Sequence, residues 1–496
     1  MSGDSTETTQ NRKDAQAAGI YAAGRSIAML MLVLTAVAAN HLYGQLGFAY
    51  VTAIILIYET SMALGSLGLP DAVFYFIGRY KDRASAIVRQ TSWMLLLAAL
   101  PVTLIAIGSA IWLSRGDGKL DLIPALPWLA LVILIELPTQ PAVNQLIAHG
   151  YAGTASLLYA GFAVLRAAAV LAPALTGWSL TTIPMAMALL GLTRLAAHLI
   201  ILRRLYPLAP GERWRIRSQM REIFFFALPG GVAAGVGKLN PQIDKYAVQF
   251  MLGTEALAIY GVAAFELPLI TLIPYAIGAV MQVRYVRLFA SQELAELKAL
   301  WFATVEKSMV IVIPLAVVVV VMARELIMLI FTPESVAAVG PFQIFTIVLL
   351  HRVASYGAML QASNQTRLLF VTSALIVGSN LLLQWPLTKL FGMNGPAMAT
   401  ALANVPAWLF TLDRIGKIYG RGLRDALPWG FYLRTLVICG ALGVGLWQLR
   451  PYLYGPPWLA LIEGLLAYAV VYIIVGRLTG VLRLEDTAYL RRIVRL

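Results

Sequence analysis

Apolar runs of membrane-crossing length recur from residue 20 to residue 479, broken only by short polar connections. Hydrocarbon offers no partner for a backbone N–H or C=O, so such runs cross a bilayer as helices, each needing about 20 residues. Fourteen runs can be drawn, including 20–42, 47–69 and 223–252. Composition agrees. Of 496 residues 60% are hydrophobic and 12% charged, and the mean hydropathy is +0.77. A soluble protein carries roughly 25% charged residues. The expected class is all-α: a polytopic membrane protein of about 14 transmembrane helices.

The net charge of +14 orients these helices. With the N-terminus inside, 26 Lys and Arg fall in cytoplasmic segments and four in external loops, and eight lie within the runs. That asymmetry predicts both termini inside. In a membrane protein it does not point to nucleic acid. No GxxxxGK[ST] loop is present, so an ATP-driven pump on this chain alone is not expected. Cys439 is the one cysteine, and His41, His149, His198 and His351 lack metal-ligand spacing. We expect no catalytic residue, metal or cofactor, and not an enzyme.

The segments read as follows. Residues 1–18 form a disordered cytoplasmic N-terminus and 19–205 an N-lobe of six helices. A basic cytoplasmic linker, 206–222, leads to a C-lobe of six helices at 223–416. A helix pair at 417–480 and a basic cytoplasmic tail at 481–496 complete the chain. A weak internal repeat supports two pseudo-repeated lobes. "QLGFAYVTAIILIYE" and "MLGTEALAIYGVAAFE" each open on Leu-Gly and carry a Glu, Glu59 or Glu266, twelve or thirteen residues past the Gly. Repeated lobes round a central site are a common transporter plan.

The stretch "GVGKLNPQIDKYAVQFMLG" (235–253) places polar residues deep in an apolar run. At 100° per residue Lys238, Gln242, Lys245 and Gln249 fall within about 60° of one another. Gly231 and Gly235 extend this stripe, while Asn240 and Asp244 lie on the other face. Pro241 is expected to interrupt the helix. Arg166 and Arg352 are also deep. A charge at the bilayer centre costs about 2.5–3.5 kcal/mol even on the lenient insertion scale. These cations therefore face protein or a water-filled cavity. Two readings stand: structural pairing with Glu59, Glu136, Glu266 or Glu306, or a pathway for an anionic, hydroxyl-rich ligand. Lys307, Arg324 and Arg434 lie near span ends and read as snorkelling. Glu59, Glu266 and Asp244 are candidates for proton or ion coupling.

The chain also resembles a known family. "FFFALPGGVAAGVGKLNPQIDKYAVQFMLGTEALAIYGVA" is similar to the seventh-to-eighth-helix region of polysaccharide exporters, the Wzx-type oligosaccharide flippases of the MOP superfamily. The shared elements are Leu228-Pro229, Ile243-Asp244-Lys245, Leu252-Gly253 and Tyr260-Gly261-Val262-Ala263. Gly68, Leu69 and Ala72 match a second-helix turn, and "GMNGPAMATALAN" (392–404) a twelfth-helix opening. The resemblance implies fourteen helices in two lobes round a cationic cavity in the bacterial inner membrane. It also implies transfer of an undecaprenyl-pyrophosphate-linked oligosaccharide to the periplasmic leaflet for surface polysaccharide synthesis. Arg25, Lys238, Lys245 and Arg352 would then attract the headgroup, with Gln242, Gln249 and Arg166 as further candidates. A polysaccharide polymerase or ligase is an implied partner. A lipid II flippase and a MATE-like cation antiporter are the alternatives.

Overall fold

The computed structural model describes residues 3–208, 214–264, 268–365, 367–453 and 455–483, all-helical among them. The first helices are α1 (Gly3–Ser66), α2 (Leu69–Arg79), α3 (Ala84–Ser114), α4 (Leu126–Thr139), α5 (Ala142–Ala148), α6 (Ala152–Thr176), α7 (Thr182–Leu205), α8 (Arg217–Leu252) and α9 (Thr254–Ala263). There follow α10 (Pro268–Ala290), α11 (Leu294–Val321), α12 (Ala323–Ile330), α13 (Val339–Val348), α14 (Tyr356–Ala362) and α15 (Arg367–Phe391). The last are α16 (Asn394–Tyr419), α17 (Leu423–Ala426), α18 (Trp429–Leu449) and α19 (Pro457–Leu478).

Among the described residues, eleven stretches are long and apolar enough to cross a membrane. The first, Ala23–Arg79, takes in two of the runs read from sequence. It breaks at Gly44, whose φ of 64° suits a residue without Cβ. Helices α10 and α16 have 23 and 26 residues but fall outside the eleven, so hydropathy within the fold does not by itself return fourteen. The backbone of residues 3–18, expected to be disordered, continues α1 toward its polar end. Adding turns to a formed helix is far cheaper than nucleating one.

Two compact units divide at Ala258/Ile259, within α9. This packing boundary lies later than the basic linker at which the sequence divides the lobes. In the first unit α1 runs along α6 and also packs on α3, α8 and α4, while α4 lies against α3 and α7. Small residues let the backbones close. A Cβ on Gly231 of α8 would collide with the Leu67–Gly68 backbone, and one on Gly235 would come 3.2 Å from the Ala63 carbonyl oxygen. Where hydrophobicity gives helices little reason to associate, such close approach supplies the attraction.

Helix α8 is one continuous helix of 36 residues with Pro229 and Pro241 inside it, so the expected interruption at Pro241 does not occur. A proline removes one ladder bond, and packed neighbours keep the rest in place. In contrast, the chain does break at Gln140-Pro141, between α4 and α5, with Pro138 inside the last turn of α4. At the far end of α8 the Asp117 carboxylate accepts bonds from the Thr254 N–H (2.7 Å) and hydroxyl (2.7 Å), which fixes the start of α9.

In the second unit α15 packs along α16, α11 along α18 and α10, and α18 along α19. Trp301, Tyr285, Met309 and Cys439 lie in its core. The Trp301 indole donates to the Ala426 carbonyl (2.8 Å), and Arg450 pairs with Glu325 at 2.7 Å. Lys307, Arg324 and Arg434 are exposed.

Gly231→Leu is expected to destabilise the protein by roughly 1–3 kcal/mol, because the α1–α8 crossing must open. Gly230→Leu, with nothing within 4 Å, is the control. Thermal unfolding in detergent reads the difference; equal melting temperatures would mean that the crossing does not hold the unit together.

Candidate functional site

Four deep charges of the first unit converge from four helices. Arg166 on α6 lies 3.5 Å from Glu59 on α1 and 3.7 Å from Glu136 on α4. Arg194 on α7 reaches the same Glu136 oxygen at 2.8 Å. Tyr58 knits the group. Its hydroxyl donates to Glu136 (2.5 Å) and accepts from Arg166 (2.7 Å), while its ring lies 4.6 Å below the guanidinium carbon. Two arginines face two carboxylates, so the cluster is neutral as a set.

Its members are unequally enclosed. The Glu136 side chain is 3% exposed, Arg166 31% and Glu59 42%. Glu136 is the closed anchor, and Glu59 is the open end. Arg166 was read from sequence as a substrate candidate with pairing as the other reading, and the pairing is present in this conformation. Tyr58 escaped the sequence reading. Its position beside Glu59 in a deep span was the only available signal.

Continuity of α8 keeps Lys238, Gln242, Lys245 and Gln249 on one face. What that face meets changes along its length. Gly231 and Gly235 form the seam with α1. Gln249 is buried at the other end, donating to the Thr254 hydroxyl (3.0 Å) and, at 3.5 Å, to the Leu113 carbonyl. Between them Lys238 is exposed, and Gln242 and Lys245 are half-buried. The Gln242 side-chain oxygen is buried without a hydrogen-bond partner among the described residues. Asp244, on the other face, is 1% exposed. The stripe is thus packed at both ends and polar in the middle.

Other candidates lie on other elements. Arg25 is on the exposed side of α1, next to Gly24, which packs on Ser156 of α6. Arg352 belongs to the second unit, where α13 gives way to a short 3-10 turn before α14; it is half-buried. Glu266 lies outside the described residues. Trp112, Trp178, Trp385, Trp447 and Trp458 are exposed, as an interfacial belt requires.

Chemically, the first unit offers an ion network closed at Glu136 and, on α8, a half-open row of amides and ammonium groups. Such a row suits an anion bearing hydroxyls.

A family model described as "Polysaccharide biosynthesis protein" matches residues 15–283, more than half of the chain. No curated protein matches it by sequence. Among solved structures, a lipid II flippase MurJ in an inward closed conformation aligns with a TM-score of 0.72 at 12% identity, over 92% of this chain and 98% of that one. An inward-facing multidrug resistance MATE family transporter of the MOP superfamily aligns at 0.63 and 14%, over 79% and 95%. A MOP superfamily transporter from Pyrococcus furiosus, described as having a binding pocket of reversed polarity, aligns at 0.54 and 16%, over 81% and 96%. At these identities the likeness is one of fold.

Glu136→Gln is expected to destabilise the protein by about 3 kcal/mol, since Arg194 loses its carboxylate and Arg166 the more enclosed of its two. Glu59→Gln should cost under about 1 kcal/mol, because that carboxylate is half-exposed. Unfolding of the two variants in detergent checks the ranking, and equal costs would contradict a single closed anchor.

Proposed function

We propose, for a chain that belongs to the polysaccharide biosynthesis protein family, that it moves a polyprenyl-pyrophosphate-linked oligosaccharide from the cytoplasmic to the outer leaflet of a bacterial inner membrane. The observation that carries the reading is the polar middle of the α8 stripe: exposed Lys238, half-buried Lys245 and the partnerless Gln242 oxygen on one helical face. A pyrophosphate is stabilised by ammonium groups where the dielectric is low. Sugar hydroxyls are donors that a bare amide oxygen can accept. The lipid tail stays in hydrocarbon, so only the headgroup needs a polar route.

In the mechanism we infer, Lys238 and Lys245 draw in the headgroup, with Arg25 and Arg352 as further cationic contacts. Alternating access then carries it outward. Arg166 acts through its ion network and not as a free cation. Glu59, the exposed end of that network, is our candidate for coupling to a proton: on protonation it would loosen its hold on Arg166 while Glu136 keeps the helices together. Asp244 and Glu266 remain secondary candidates. The protein works as a transporter and not as an enzyme, and a polymerase or ligase would use its product.

A lipid II flippase is the second reading. It is favoured by the MurJ-like fold, which covers more of this chain than the MATE-like one. Lipid II shares the pyrophosphate, so the same stripe would serve. A cation antiporter fits less well, because the polar middle of the stripe is basic.

Headgroup translocation in liposomes tests this reading, with leaflet exposure scored for an oligosaccharide-bearing polyprenyl pyrophosphate and for lipid II. Lys238→Ala and Lys245→Ala, at matched folded yield, are each expected to slow translocation about tenfold or more, the loss of one charge-assisted contact. Unchanged rates would remove these lysines from the pathway. Efflux of cationic drugs without headgroup transfer would favour the antiporter.

A further inference from the structure

A second concentration of cations lies in the first unit, at the start of α8. Arg215 precedes the helix, Arg217 opens it and Arg221 follows one turn on. With Met220, Phe224 and Phe225 they line a cavity of about 470 Å³.

Two of the arginines, Arg215 and Arg221, lie over aromatic rings. The Arg215 guanidinium lies 4.2 Å from the Trp93 ring centre and 4.8 Å from that of Trp214, and the two indoles meet edge to face at 6.4 Å. The Gln90 amide donates to the Trp214 carbonyl (2.5 Å) and to the buried Gln219 (2.9 Å), which ties Trp214 and Gln219 to α3. Arg221 lies over Phe225 at 5.6 Å.

Among the described residues no carboxylate is within ion-pair distance of Arg215, Arg217 or Arg221. The first turn of α8 holds no acidic residue either. Three guanidinium groups therefore add to the positive end of the helix dipole, an arrangement that an anion would relieve. One turn deeper the surface turns apolar, with Phe225 59% and Phe226 48% exposed. A cationic tier above an aromatic tier on one helix end matches an amphiphile with an anionic head and a hydrocarbon tail.

We propose that this cavity binds the phosphate headgroup of a membrane lipid. Arg215, Arg217 and Arg221 hold the phosphate, and the lipid chain lies along Phe224 and Phe225. The site is separate from the Lys238 stripe and does not rest on the transport reading. Two lipids carry the required chemistry: an anionic phospholipid of the leaflet and a polyprenyl pyrophosphate.

The test uses the full chain in phosphatidylcholine nanodiscs, with phosphatidylglycerol or a polyprenyl pyrophosphate added and the lipid retained counted by native mass spectrometry. Wild type is expected to retain one of these over phosphatidylcholine. The R215Q/R217Q/R221Q variant should bind it at least about tenfold more weakly, and the triple Arg→Lys variant should recover part of the loss. If the triple glutamine variant does not fold, R221Q alone should show a smaller loss in the same direction. The exposed pair R203Q/R204Q removes charge from the end of α7 and should leave binding unchanged. Retention of phosphatidylglycerol would identify a bilayer lipid, and retention of only the pyrophosphate a carrier lipid; both support the site. Equal binding by wild type and the triple glutamine variant, no preference over phosphatidylcholine, or the same loss in R203Q/R204Q would overturn it.

Discussion

Glu136 sits almost fully enclosed between two guanidinium groups, and the first unit is arranged about that constraint. An ion in hydrocarbon is tolerated only when paired and hydrogen-bonded. Arg166 and Arg194 arrive from α6 and α7, Glu136 from α4, and Tyr58 and Glu59 from α1. Four helices are thereby fixed in mutual register at one depth. Apolar side chains alone would specify that register weakly, since they pack on lipid nearly as well as on one another.

The contact between α8 and α1 follows a different rule. Gly231 and Gly235 bring two backbones together where any larger side chain would hold them apart. The helix is thus anchored at its middle by the absence of side chains, and at its end by Gln249 and the Asp117–Thr254 bonds. Lys238, Gln242 and Lys245 lie between these anchors. A polar segment held at both ends has a fixed place on the helix, which is what a binding surface needs.

Much of the site was legible because a helix has a fixed angular period. That Lys238, Gln242, Lys245 and Gln249 share a face follows from spacing once the segment is helical, and the continuity of α8 through Pro241 preserves it. Spacing does not reveal what a face meets. Gly231, Gly235 and Gln249 belong by angle to the polar stripe and by contact to the packing seam. Nor could spacing choose between pairing and ligand binding for Arg166, whose partner Glu136 is 30 residues away in the chain and on another helix.

The sequence by itself determined the class and the separation of the first two apolar runs, 20–42 and 47–69. Hydropathy acts locally, since each apolar run must satisfy its own backbone bonds within a single helix. Only the tertiary structure decided that Glu136 serves two arginines, that Tyr58 joins them, and that Arg215, Arg217 and Arg221 line one cavity with Phe224 and Phe225. Those outcomes depend on distances between helices, and such distances are set by packing that no single helix encodes.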